Sequence, residues 1–304
     1  MLQDRIIHIT LWLLLPPLLF GVINKTKAFF AGRKGSPLFQ TYFDLFKLFR
    51  KGLVVSNTTT WFFQAGPVVG LSIAFVVGMI MPFNHSPGLF SFTGDFILFA
   101  YLLGLSRFFT TAAALDTGSA FEGMGASREV TFAILIEPAL FFLYLVFVKL
   151  TGSLQLNDML HATMTTNLFE ASLAPLILIL LGLCIIILAE NCRIPVDDPN
   201  THLELTMIHE VMVLDHSGPL FGLIEYASSL KLFIMLAMLT TIVTPIVMDH
   251  SWLNWVIFVG EILILSVGIG IIESIMARLR MRQVPLLLAS AVMLCGSALI
   301  LFAR

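Results

Sequence analysis

Long apolar runs broken by short polar or basic intervals set the pattern of this chain. Eight stretches carry enough consecutive apolar residues to cross a bilayer as helices, at roughly 5–24, 61–83, 94–115, 129–150, 172–190, 220–245, 252–275 and 284–303. The hydrocarbon layer is about 30 Å thick, and a helix that satisfies its own backbone hydrogen bonds needs about 20 such residues to cross it. Alternation at strand period is absent from these stretches, which argues against a barrel. The pattern predicts an all-α polytopic membrane protein of about eight transmembrane helices, forming a single integral membrane domain over 1–304.

Composition agrees. Hydrophobic residues make up 58% of the 304, charged residues only 12%, and mean hydropathy is +0.95. A soluble domain carries about 25% charged residues. The formal net charge of −2 says little, because charge is segregated by loop. After the first span come Lys25, Lys27, Arg33, Lys34, Lys47, Arg50 and Lys51 against Asp44 alone, so that loop is expected on the cytoplasmic side. Threading the spans from there places Arg128, Arg193 and the Arg278, Arg280 and Arg282 group on the same side, with cytoplasmic loops at about 25–60, 116–128, 191–219 and 276–283 and both termini outside. Basic residues follow the first span rather than precede it, and no small-residue cleavage site comes after it, so it reads as a retained helix.

Leu45, Phe46, Leu48 and Phe49 lie among the charges of the first loop at helical spacing, which predicts an amphipathic helix at the membrane surface. Such a helix anchors at headgroups, docks a soluble partner, or does both. Cys184, Cys192 and Cys295 form no CxxC pair, and glycine-rich phosphate loops are missing, so this chain is expected to hold no cluster, zinc or nucleotide. Nothing points to nucleic acid.

Charge inside the spans is the stronger signal. Arg107, Glu137, Glu225, Lys231, Glu261 and Glu273 fall within apolar stretches, where each costs several kcal/mol if left facing lipid, so each must face protein or water. Glu225 and Lys231 are too far apart along one helix to pair and need partners elsewhere. Pro138 follows Glu137 and can bend its helix. Interhelical pairing and a proton or ion path both remain open for these groups. The segment ENCRIPVDDPNTHLELTMIHEVMVLDHS at 190–217 is dense in acids and histidines. Pro195 and Pro199 end the fifth span in a turn holding Asp197 and Asp198, after which Asn200 can start a helix. Leu203, Met207, Val211 and Leu214 would line its apolar face, with His202, Thr206 and His209 opposite. A proton-responsive loop and plain packing against a partner are both compatible; the spacing disfavours a metal site.

Three motifs carry a family resemblance. GRKGSPLFQTYFDLFKLF at 32–49 resembles an Arg-x-Gly-Pro segment followed by Gln, Asp and Lys-Leu, here Gln40, Asp44, Lys47 and Leu48. The third connection carries LDTGS, GASRE and the later Glu137-Pro138; the long strip supplies Glu190, Arg193, Pro195, Asp197, Glu204 and then Asp215-His216-Ser217-Gly218. Together they resemble the quinone-chamber membrane subunit of respiratory complex I, the NADH dehydrogenase subunit 1 family, and more closely its counterpart in group 4 membrane-bound nickel–iron hydrogenases of the formate hydrogenlyase type. Asn200 and His202 replace part of the family's glutamate run, and Ser36 displaces the first-loop proline to Pro37, departures that favour the hydrogenase side over a quinone site.

The resemblance implies a membrane-anchoring and coupling subunit of a redox complex in the inner membrane of a prokaryote, linking electron transfer to ion movement. Nickel–iron and iron–sulfur centres would reside in docked cytoplasmic subunits, with antiporter-like subunits beside it in the bilayer. Expected relay residues are Glu137, Glu190, Glu225, Lys231, Glu261 and Glu273; coupling-loop residues are Arg193, Asp197, Asp198, His202, Glu204, His209, Glu210 and Asp215; partner docking falls to Arg33, Lys34, Gln40, Asp44, Lys47 and Arg128. A quinone-binding subunit is the alternative within this architecture. A stand-alone ion transporter and a pure anchor are the alternatives outside it.

Overall fold

A computed structural model describes residues 2–84, 86–160, 173–198, 207–244 and 251–303. Its helices are α1 (Leu2–Leu14), α2 (Pro16–Phe30), α3 (Gln40–Arg50), α4 (Trp61–Ile80), α5 (Asp95–Asp116), α6 (Ala120–Thr151), α7 (Leu156–Leu160), α8 (Leu173–Glu190), α9 (Gly218–Val243), α10 (Ser251–Ile275) and α11 (Val284–Ala303), with a short 3₁₀ turn at Glu210–Val213. No strand occurs among the described residues; Phe83 and Ser86 form one isolated bridge.

Six single helices are long and apolar enough to span, namely α4, α5, α6, α9, α10 and α11. The first expected span is two helices, α1 and α2, bent by 50° at their junction and together long enough for a seventh. Pro16 and Pro17 withhold two backbone donors there and crowd the preceding turn, which breaks the helix. The fifth expected span is α8, an apolar helix of 18 residues that starts at the edge of the described region. By contrast α4 and α6 run unbroken through Pro67 and Pro138.

Two loop expectations change. The connection read at 116–128 is only 117–119, because the helix of the fourth expected span starts earlier and α6 runs for 32 residues. Gly125 lets that extension close on the 3₁₀ turn, where an added Cβ would stand 2.4 Å from Val211 Cγ1. The helix expected after Asn200 does not run through 207–214: Met207 and Val211 are buried, but Leu214 is exposed and the ordered backbone is a 3₁₀ turn. Residues 199–206 lie outside the described residues.

The bundle is organised around α9, whose run from Leu232 to Ile242 is buried throughout. It packs on α2, α3, α4 and α10, while α4 pairs with α5, α2 with α10, and α11 with both α6 and α8. Side-chain ties at the helix ends set the register. Asp116 accepts the Thr60 N–H and hydroxyl at 2.6 and 2.8 Å, joining the end of α5 to the start of α4. At the other end of α5, the fully buried Asp95 accepts the Leu156 N–H at 2.5 Å and ties it to α7.

Candidate functional site

The in-span charges are gathered by four helices meeting near the basic end of the bundle. Arg107 on α5 donates to Glu129 at 3.1 Å and Glu137 at 2.5 Å, both on α6, and to Glu190 at the end of α8. Glu190 is paired on its other oxygen with Lys231 of α9, at 2.6 Å. Three carboxylates thus face two cations. The geometry follows from helix periodicity: Glu129 and Glu137 are eight residues apart, so they stand about two turns apart on nearly one face of α6. A guanidinium offers five donors in a fixed fork, and Arg107 divides them among three acids. Its side chain is 9% exposed and that of Glu190 4%, so each stands on its partners rather than on water.

A second cluster lies at the inner end of α2. Glu273 of α10 takes Lys27 at 2.8 Å and Arg193 at 3.5 Å, and the Arg193 guanidinium sits over the Phe20 ring, 4.6 Å from its centroid. Beside it, Asp197 holds Arg278 at 2.7 Å and accepts the N–H groups of Ile208 and His209 at 3.0 and 3.1 Å. The turn after α8 is therefore clasped from both sides. Ile194-Pro195 is a cis peptide within it.

Between these clusters lies a cavity of about 450 Å³. Its outer end is polar, with Gln40, Asp44, His209 and Glu210; its inner end is apolar, with Ile73, Val77, Leu103 and Met235, and Arg107, Glu190, Arg193, Glu225 and Lys231 line the walls. Glu225 lies within electrostatic reach of Asp44 and Arg193. His216 also lines it, stacked on Phe63 at 4.0 Å with Nε2 donating to the Phe63 carbonyl at 3.2 Å. Burial holds this imidazole below its ordinary 6.5, against the smaller opposite pulls of that carbonyl and of Asp215.

Of the expected relay residues, Glu137, Glu190 and Lys231 come together, Glu225 shares their cavity, and Glu273 belongs to the second cluster. Glu261 stands apart: its partner is Thr244, and it is 12 residues or about 18 Å from Glu273 along α10. In the loop, Arg193 and Asp197 are buried clasps, Asp198 follows them half-buried, His209 and Glu210 face the cavity, and Asp215 is exposed. His202 and Glu204 lie outside the described residues. Of the residues expected to dock a partner, Arg33, Lys34 and Lys47 are exposed, and Gln40 donates to Asp44 at 2.9 Å at the cavity mouth. Arg128 is turned inward, donating to the Met207 carbonyl at 2.6 Å.

Sequence reading missed Glu129 and Glu122. Glu122 is fully buried and accepts the Asp215 N–H at 3.0 Å, fixing the strap before α9 to α6. Glu122 sits in what was read as a loop, so no in-span charge flagged it, and Glu129 is the first residue of the expected fourth span and closes the GASRE motif, where it was passed over. Eight residues from Glu137, Glu129 was one helical-face count away.

The NADH dehydrogenase family model matches residues 5–303. Hydrogenase-4 component C of Escherichia coli (strain K12) is 32% identical over 77% of this chain and 72% of its own. Formate hydrogenlyase subunit 4 of the same organism is 28% identical over 88% of each. Among solved structures, a chain of the membrane-bound sulfane sulfur reductase, an archaeal respiratory membrane complex, superposes with a TM-score of 0.84 at 18% identity, covering 99% of this chain and 98% of that one.

Proposed function

Because the chain belongs to the NADH dehydrogenase family, we propose that it is the membrane-anchoring and coupling subunit of a hydrogenase-type redox complex, passing events in docked partners to ion movement through its buried charges. The observation that carries this reading is the Arg107–Glu190–Lys231 network in the wall of a cavity that opens at the basic end. Glu190 is shared between two cations. Any charge arriving in the cavity therefore shifts that sharing: an anion attracts the part-exposed Lys231 away from Glu190 and leaves the carboxylate more dependent on Arg107. A network of mutually compensated charges in low dielectric transmits such a change at far less cost than isolated charges could.

By the distribution of lysine and arginine, the cavity end faces the cytoplasm with both termini outside, and by its family resemblance the complex belongs to the inner membrane of a prokaryote. Docked cytoplasmic subunits would carry the nickel–iron site and iron–sulfur clusters, with antiporter-like subunits as membrane neighbours. The similarity to hydrogenase-4 and formate hydrogenlyase subunits supports this partner set. The cavity volume and its apolar inner end also fit a quinone headgroup, with Gln40, Asp44, His209 and His216 as polar contacts, which is the second reading.

A mild-detergent pull-down with metal analysis and assays for hydrogen evolution and quinone reduction separates the two. Nickel with hydrogen evolution is the expected result. Iron without nickel, together with saturable labelling of this chain by a photoreactive quinone analogue, would replace it with the second reading.

A further inference from the structure

Glu261 lies away from the charge network, at a separate hollow of about 10 Å³ lined by Asn84, Thr240, Thr241, Thr244, Ile257, Phe258 and Glu261. That volume is about what one water-sized particle needs. The lining is rich in lone pairs, the Asn84 amide being its one side-chain N–H donor among the described residues. Thr240 and Thr241 each spend their hydroxyl hydrogen on the Ala237 carbonyl, at 2.8 Å, so only lone pairs remain on those oxygens. Thr244 Oγ1 stands 2.9 Å from Glu261 Oε2 and 2.8 Å from the Thr240 carbonyl oxygen. One hydroxyl has one hydrogen for these two neighbours.

Two arrangements resolve this. With Glu261 protonated, the carboxyl donates to Thr244, which donates to the Thr240 carbonyl, and every hydrogen is placed. With Glu261 ionised, Thr244 turns its hydrogen to the carboxylate and releases the Thr240 carbonyl, which still takes the Thr244 N–H at 3.0 Å. The hollow then has a negative charge, a freed carbonyl lone pair and hydroxyl oxygens, a hard oxygen set that suits a small cation. Helix α9 ends at Val243, so its last-turn carbonyls add the negative end of a helix dipole at the same place.

We propose that this hollow is a monovalent-cation site in which Na⁺ and the Glu261 proton exchange one for one: the cation enters as the carboxyl proton leaves, and the net charge of the site is unchanged. Among its described lining residues no other group is charged. The charged groups and histidine on elements packed against α9 and α10 are Asp4, Arg5 and His8 on α1, Lys25 and Lys27 on α2, Asp44, Lys47 and Arg50 on α3, Asp158 on α7, Glu190 on α8, Glu225 and Lys231 on α9 and Glu273 on α10; none of them lines it, and His8 comes nearest, stacked on Phe83 beside Asn84. Asp4 accepts from Trp255, about a turn and a half below Glu261 on α10. Asp249 and His250 lie outside the described residues. The site stands independently of the hydrogenase reading, since its test needs no turnover.

The test is carbodiimide labelling of native membranes, with modification at Glu261 read by mass spectrometry over a Na⁺ series, choline serving as the ionic-strength control. Na⁺ should protect Glu261 where choline does not, and the half-protecting concentration should rise about tenfold for each unit of acidification below the pKa of the free site. Thr244→Val should raise that concentration about tenfold or more while leaving Glu261 labelled in the absence of Na⁺. Labelling that is indifferent to Na⁺ overturns the proposal and leaves a hollow for water. Failure to label Glu261 at any pH also overturns it, because an exchanging carboxyl must be reached in its protonated state.

Discussion

Asp197 directs its acceptor oxygens into the chain: one to Arg278, the other to the N–H groups of Ile208 and His209. Its position in a recognisable motif was legible in the sequence, but apart from the adjacent Asp198 N–H its partners come from 11 to 81 residues away, so its part as a clasp was not. Asp197→Ala removes one member of a buried ion pair and orphans three backbone donors. It should destabilise the protein by about 3 kcal/mol, seen as a lowered melting temperature in detergent and faster proteolysis after α8. His216 gives a prediction with a definite sign. Its folded pKa is depressed, so the unfolded chain binds the proton more readily, and the stability contributed by the neutral ring is present above the ordinary value of 6.5 and lost as pH falls through the folded pKa. Melts at about pH 7 and about pH 5 should differ, and His216→Phe, which retains an aromatic ring for stacking on Phe63, should flatten that difference.

At the level of helices, apolar runs located nearly all the membrane elements because every span obeys the same rule of length and internal hydrogen bonding. Breaks and extensions were harder to read. Pro16 and Pro17 divide the first span while the single Pro67 and Pro138 interrupt nothing, since two adjacent prolines withhold two donors at one point and one withholds only one. Close approach is similarly hidden. Gly21 of α2 meets the chain entering α3, where an added Cβ would lie 2.0 Å from the Leu38 carbonyl oxygen, a backbone atom that cannot swing aside. Tyr42 reinforces that corner by donating to the Leu14 carbonyl. Gly21→Ala should force α3 outward and cost about 1–3 kcal/mol, measured as a drop in thermal stability; an unchanged melt would mean that α3 is not held against α2.

For the molecule as a whole, the central question is whether the shared carboxylate of Glu190 couples or merely holds. Glu190→Gln keeps the shape and one acceptor oxygen, but it removes the charge between Arg107 and Lys231 and turns the other oxygen into a donor that cannot accept from its cation. The assembled complex should persist while ion movement per turnover falls at least about tenfold, equivalent to ~1.4 kcal/mol. Tracer uptake into vesicles, set beside the amount of intact complex, checks this, and loss of the complex itself would identify a structural pairing. The sequence alone determined the membrane class, the approximate spans, the basic face and the set of unavoidable in-span charges, because hydrophobic length and the cost of burying charge act locally and leave their mark on each segment. Only the tertiary structure decided which charges meet. Ion pairing acts through space, so helices remote in sequence bring Arg107 to Glu137 and Glu190, send Glu273 to Lys27 and Arg193, and place Glu261, among the described residues, against Thr244.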